Sequence, residues 1–109
     1  MIRHVVMFRW ENTFTPSIRD RWIHGLEAMR GNIPGMLSLV HGPDILHTAR
    51  SWDHVIIADF EAAEDIAVYN THPLHEAIKP LSLPNVRELA YVDFELDDAA
   101  PGTDVKDNT

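Results

Sequence analysis

Residues 2–10 read Ile2-Arg3-His4-Val5-Val6-Met7-Phe8-Arg9-Trp10, and the alternation inside that run decides the architecture. It is rich in β-branched and aromatic residues and short enough for a strand. Successive side chains of a strand point to opposite faces. Ile2, His4, Val6 and Phe8 therefore share one side, and Arg3, Val5, Met7 and Arg9 the other. Residues 53–60 repeat the pattern, with His54, Ile56, Ala58 and Phe60 alternating with Asp53, Val55, Ile57 and Asp59. An antiparallel sheet with one wet face shows polar residues at every second position. Here the second face is apolar in its middle (Val5, Met7, Val55, Ile57) and charged at its ends, the profile of a protein interface with a polar rim. One face is expected beneath helices of the same chain and the other against a second copy, giving a homodimer.

Working outward, Thr15-Pro16 offers a helix cap followed by proline at the first helical position. Ile18, Trp22, Leu26, Met29 and Ile33 then recur at spacings of three and four, one stripe of an amphipathic helix. Gly31-Asn32 and Pro34-Gly35 stop it. Residues 36–41 form a second strand candidate closed by Gly42-Pro43, and residues 44–51 carry no clear period and read as loop. After the third strand, Glu61, Glu64 and Asp65 favour a helix start through the backbone dipole, with Ile66 and Tyr69 on one face. His72-Pro73 breaks that helix and starts another short turn through Ile78. Leu83-Pro84 resets the chain, and residues 85–96 read as the last strand. The order strand, helix, strand, strand, helix, strand predicts an α+β fold of the ferredoxin-like βαββαβ type. Its four strands would form one antiparallel sheet with the helices on one face.

Composition narrows the function. A chain of 109 residues has room for one domain, taken as residues 1–96, with 97–109 an acidic, flexible tail. A net charge of −8 speaks against nucleic acid or an anionic membrane as partner, since both need a basic face. There is no cysteine, so neither disulfides nor thiolate metal sites are available. No apolar run is long enough to span a bilayer, and a cytoplasmic location is the expectation.

Seven histidines invite metal or acid–base chemistry. His24 lies off the helical stripe and reads as surface. His41 and His47 border the irregular segment, where a solvated imidazole is ordinary, and His54 reads as a hydrogen-bonded core residue. His4 shares a side with Val6 and Phe8, so its ring points beneath the helices, where it needs a partner or a ligand. The richest segment is Tyr69-Asn70-Thr71-His72-Pro73-Leu74-His75. Proline at a first helical position makes His72 the cap and puts His75 in the first turn, where the helix dipole disfavours an imidazolium. A neutral imidazole in a dry pocket can accept a proton, and Tyr69 can donate to a carbonyl oxygen as charge develops. His-x-x-His is not the i, i+4 pairing of zinc helices and has no third ligand beside it, so no metal is expected. By spacing alone the segment also fits a plain turn, with His72 capping and His75 packed on the sheet.

Ile2-Arg3-His4-Val5-Val6-Met7-Phe8, Trp52-Asp53-His54 and the Tyr-x-x-His-Pro-x-His run at 69–75 together resemble the stress-responsive A/B barrel domain family, within the dimeric α+β barrel superfamily. The likeness extends from Met1 to about Phe94 and implies the same fold and dimer. Its members of defined chemistry, plant polyketide cyclases of the olivetolic-acid type, close a polyketide thioester by aldol condensation with no metal and no organic cofactor. The resemblance implies His75 as base, Tyr69 as its steadying and polarising partner, and His4 as completing the polar end of the pocket. The expected walls are Val6, Phe8, Trp22, Ile23, Leu26, Ile56, His72 and Val86, with Leu26 and Val86 departing from the cyclases' aromatic residues. The function expected is a cofactor-independent cyclase, lyase or isomerase acting on a small, hydrophobic or carbonyl-containing compound. A non-catalytic, stress-associated homo-oligomer or small-ligand-binding protein is the alternative, and a cofactor-independent monooxygenase of the same superfamily a second one.

Overall fold

The computed structural model describes residues 1–97; the expected acidic tail, apart from Asp97, lies outside the described residues. The elements are β1 (Ile2–Trp10), α1 (Pro16–Met29), β2 (Met36–Pro43), β3 (His54–Phe60), α2 (Glu64–Thr71), α3 (Pro73–Glu76), α4 (Lys79–Ser82), a 3-10 turn (Leu83–Asn85) and β4 (Val86–Glu95). The strands form one sheet in the order β2-β3-β1-β4, with every neighbouring pair antiparallel. This is the ferredoxin-like sheet the sequence predicts. Each crossover passes over one strand: α1 carries the chain across β3, and the α2–α4 segment carries it across β1. No helix among the described residues is long and apolar enough to cross a membrane.

The alternation holds along β1 and along β3 as far as Ala58; Asp59, of the outer set, is buried too. His4, Val6 and Phe8 of β1 and His54, Ile56, Ala58 and Phe60 of β3 are buried, and the hydrophobic ones among them join Trp22, Leu26 and Met29 of α1 in a single core. Thr15 caps α1 by accepting from the Ile18 amide at 3.4 Å, and Pro16 supplies the preset first turn. At Gly25 a Cβ would stand 2.1 Å from the Ile78 methyl. Only glycine lets α1 pass this close to the Ile78 side chain at the foot of α4.

The opposite face is ordered at its rim and open at its centre. Arg3 grips Asp59 through two hydrogen bonds of 2.8 and 2.9 Å, and Ser38 donates to the same carboxylate at 3.2 Å. Arg3 thereby holds the Asp59 carboxyl below the usual range, against the opposing effect of burial. At the other end Arg9 reaches Glu88 at 2.6 Å and lies 4.2 Å over the Trp52 ring. Between these ends Val5, Ile57, Val92 and Val40 meet in register across the four strands. Val92 is 62% exposed and Val40 52% exposed.

Candidate active site

A cavity of about 250 Å³ lies between the inner face of β1 and β4 and the arch of α2, α3 and α4. The arch is set locally. The residue before a proline disfavours helical geometry, so α2 ends where His72 turns extended (φ −65°, ψ 139°). The His72 Nδ1 then accepts from the Leu74 amide at 3.1 Å and starts α3 with Pro73 in its first position. This reversal brings the His75 ring back onto Tyr69, stacked with centroids 4.1 Å apart. His4 approaches from β1, its ring 5.7 Å from that of Tyr69.

Each of the three side chains has a defined polarity. The His75 Nδ1 lies 3.3 Å from the Asn70 carbonyl. A carbonyl only accepts, so Nδ1 carries the proton and Nε2 the lone pair. The Lys79 ammonium donates to the same carbonyl at 2.9 Å. Burial draws the His75 imidazole below its ordinary pKa, with the Asn70 carbonyl opposing and Lys79 assisting. Burial pushes the Tyr69 hydroxyl up to about 12, so it stays a donor at neutral pH. The His4 Nδ1 stands 2.5 Å from the Asp93 carboxylate, which fixes the ring and leaves Nε2 free, as a carboxylate does for a catalytic imidazole. Among the described residues no hydrogen bond takes Tyr69 Oη or the Nε2 of His4 or His75, yet no buried side-chain polar atom is left unpaired. All three atoms therefore reach accessible space, and the residues that carry them line this cavity.

His4, Tyr69 and His75 thus come together, and of the expected walls Val6, Phe8, Trp22 and Ile56 line the space. The other four do not. Leu26 is fully buried in the core, where of the α1 stripe only Trp22 also borders the cavity. Ile23 and Val86 pack against that core, and His72 is spent on its cap. Ile66, Ile78, Leu83 and Leu89 complete the apolar wall, and Asp93, Tyr91, Asn70 and Lys79 its polar part. Asp93, which the sequence reading did not single out, faces His4 across the β1–β4 pair; an acid between Val92 and Phe94 becomes telling only once that register is known. Burial at His75 does what the helix dipole was expected to do, since α3 has only four residues.

The remaining histidines divide. His24 and His47 are exposed, as expected, and His54 is a hydrogen-bonded core residue. His41 corrects the expectation of a solvated ring: its side chain is nearly buried, with Nδ1 3.1 Å from His54 Nε2 and Nε2 2.8 Å from the Glu27 carboxylate. Burial first, then His41 and Arg19, lower His54 to about 4. In the unfolded chain this ring titrates near 6.5, so between those values the unfolded state binds more protons. Stability is then full above about pH 6.5 and falls as the pH drops toward 4, by up to about 3 kcal/mol from this group. Urea unfolding of the chain at pH 7 and pH 4.5 is expected to show that loss, and its absence from a His54→Asn variant checks the assignment. Among the described residues no group of three or more His, Asp or Glu side chains is arranged to hold a metal ion.

Comparison with known proteins agrees with the fold. The family model described as Stress responsive A/B Barrel Domain matches residues 2–96. A dimeric ferredoxin-like protein of unknown function from Thermobifida fusca is 29% identical, superposes with a TM-score of 0.79, and is matched over 87% of this chain and 90% of its own. Hydroxynitrile lyase from Passiflora edulis shares the fold at 16% identity and a TM-score of 0.75, over 89% and 94% of the two chains. An antibiotic biosynthesis monooxygenase does so at 13% identity and a TM-score of 0.72, over 89% and 99%. A comparison with curated proteins returns no match.

Proposed function

The chain belongs to the stress responsive A/B barrel domain family, and from that membership and the cavity above we propose that it is a cofactor-independent acid–base enzyme. Its reaction would be that of a lyase, cyclase or isomerase on a small activated carbonyl compound of the polyketide kind. The observation that carries this reading is the meeting of two imidazole lone pairs and one phenol hydroxyl in a single apolar-walled space. His75 Nε2 takes the proton of a C–H flanked by carbonyls. The electron pair of that bond moves onto the carbonyl oxygen, where the Tyr69 hydroxyl donates a hydrogen bond to the developing charge. The His75 imidazolium so formed then returns the proton to the product or leaving group, and His4 Nε2, its ring held by Asp93, is a second acceptor facing the same cavity. Lyase chemistry on this fold is supported by the Passiflora enzyme.

The test is hydrogen exchange. A small β-diketone incubated with the protein in D2O should lose its central proton, followed by NMR, faster than with free imidazole at equal concentration. Exchange no faster than with imidazole would overturn the proposal. Saturable binding of the diketone without exchange would instead favour the small-ligand-binding alternative, and oxygen uptake with a quinol the monooxygenase one.

We also infer that the protein is a homodimer joined through the outer sheet face, as supported by its apolar centre and by the dimeric relative from Thermobifida fusca. In a two-fold interface every substitution acts twice. Val92→Lys is expected to give a monomer at micromolar concentration in sedimentation velocity, against a dimer for the unaltered chain. A monomeric unaltered chain would end this inference.

A further inference from the structure

Away from the cavity, three titratable side chains form a hydrogen-bonded line from the surface into the core. Glu27 of α1 bonds the Nε2 of His41 on β2 at 2.8 Å, and His41 Nδ1 faces His54 Nε2 on β3 at 3.1 Å. The two rings lie nearly parallel, 23° apart, and the Trp22 ring meets His54 at an edge, 4.9 Å away. Trp22 is also a wall of the cavity. The other charged groups around the line are Arg19 of α1, which acts on His54, and Arg30, 3.0 Å from Glu27. Asp53, next to His54 in the chain, is engaged with the Trp10 amide at 2.8 Å.

Counting protons shows what this line tolerates. A carboxylate only accepts, so His41 Nε2 must donate to Glu27. With both rings neutral, His41 Nδ1 is then a lone pair and His54 Nε2 must donate to it. One added proton enters at His54 Nδ1, and the shared proton moves from His54 Nε2 to His41 Nδ1. His54 remains neutral, and the positive charge sits on His41 against Glu27. Every hydrogen bond is kept. A second proton must go to His54 Nε2, which then faces the His41 Nδ1–H, donor against donor and cation against cation.

We propose that Glu27, His41 and His54 form a proton-counting latch that fastens α1 to the β2–β3 pair with zero or one added proton and opens with two, freeing the Trp22 wall of the cavity. Acidification would in this way loosen the pocket from the side away from its reacting groups.

Imidazole nitrogen NMR of the full chain, titrated from pH 8 to 4, tests it directly. At pH 8 His54 should carry its proton on Nε2. With one proton added to the pair, His54 should switch to the Nδ1–H form without becoming a cation. Its own conversion near pH 4 should then move the Trp22 indole signal while the rest of the amide spectrum stays dispersed. Four results would overturn the latch. These are an Nδ1–H form of His54 at pH 8, simultaneous charging of both rings, an unmoved Trp22 signal, and collapse of the spectrum before His54 charges.

Discussion

His75→Ala is expected to slow proton abstraction from a β-diketone by about a hundredfold or more while the chain stays folded, because a positioned general base contributes typically 10²–10⁴ in rate. The ring is half-buried at the end of the arch, and its removal leaves the His72 cap and both short helices in place. The hydrogen bond it gives up is a 3.3 Å contact to a carbonyl that still receives the Lys79 ammonium at 2.9 Å. No buried polar group is stranded, so circular dichroism and the melting midpoint should change little. Tyr69→Phe removes only a hydroxyl that faces the cavity, and should lower the rate with a smaller effect on affinity for the diketone. Full activity in His75→Ala would move the base to the His4–Asp93 pair, and Asp93→Asn would then become the deciding variant.

Trp22→Ala is expected to be the most damaging single change to stability. The indole is 1% exposed and meets Phe8, Trp10, Phe14 and His54 edge-on at 5.2, 5.1, 5.7 and 4.9 Å. Truncating a buried aromatic to alanine costs about 3–5 kcal/mol through lost transfer energy and the cavity left behind. A domain of this size has only about 5–15 kcal/mol in total. The melting midpoint should fall by at least about 10 °C in a thermal scan, and an unfolded variant at 25 °C is within range. A loss below about 1 kcal/mol by urea titration would mean that the aromatic cluster does not organise this end of the core.

How much of this was legible in the residues follows from the range of the interactions. The periods of β1 and β3 place His4, Val6, Phe8 and Ile56 without knowledge of anything distant, and each lies where the alternation puts it. The turn at His72-Pro73 is equally local, and it positions Tyr69 and His75 together. Asp93 was not legible in this way. Its role depends on the register by which β4 meets β1, a matter of tertiary pairing. The same holds for His41, whose apparent exposure beside a loop is reversed by Glu27 arriving on another element. Leu26 shows the opposite failure: a helical stripe marks what is buried, but not whether it faces packed atoms or an empty space.

The interleaved crossovers have a consequence for how the protein comes into being. His4 and Asp93 are 89 positions apart, and β1 occupies the middle of the sheet, between β3 and β4, the third and fourth strands of the chain. During synthesis the first strand must wait for β4 to emerge before its second neighbour exists. Contacts so distant along the chain make for slow folding. A chain cut before β4 lacks both one edge of the sheet and the carboxylate that orients His4, so completion of the cavity and of the fold would arrive in one event.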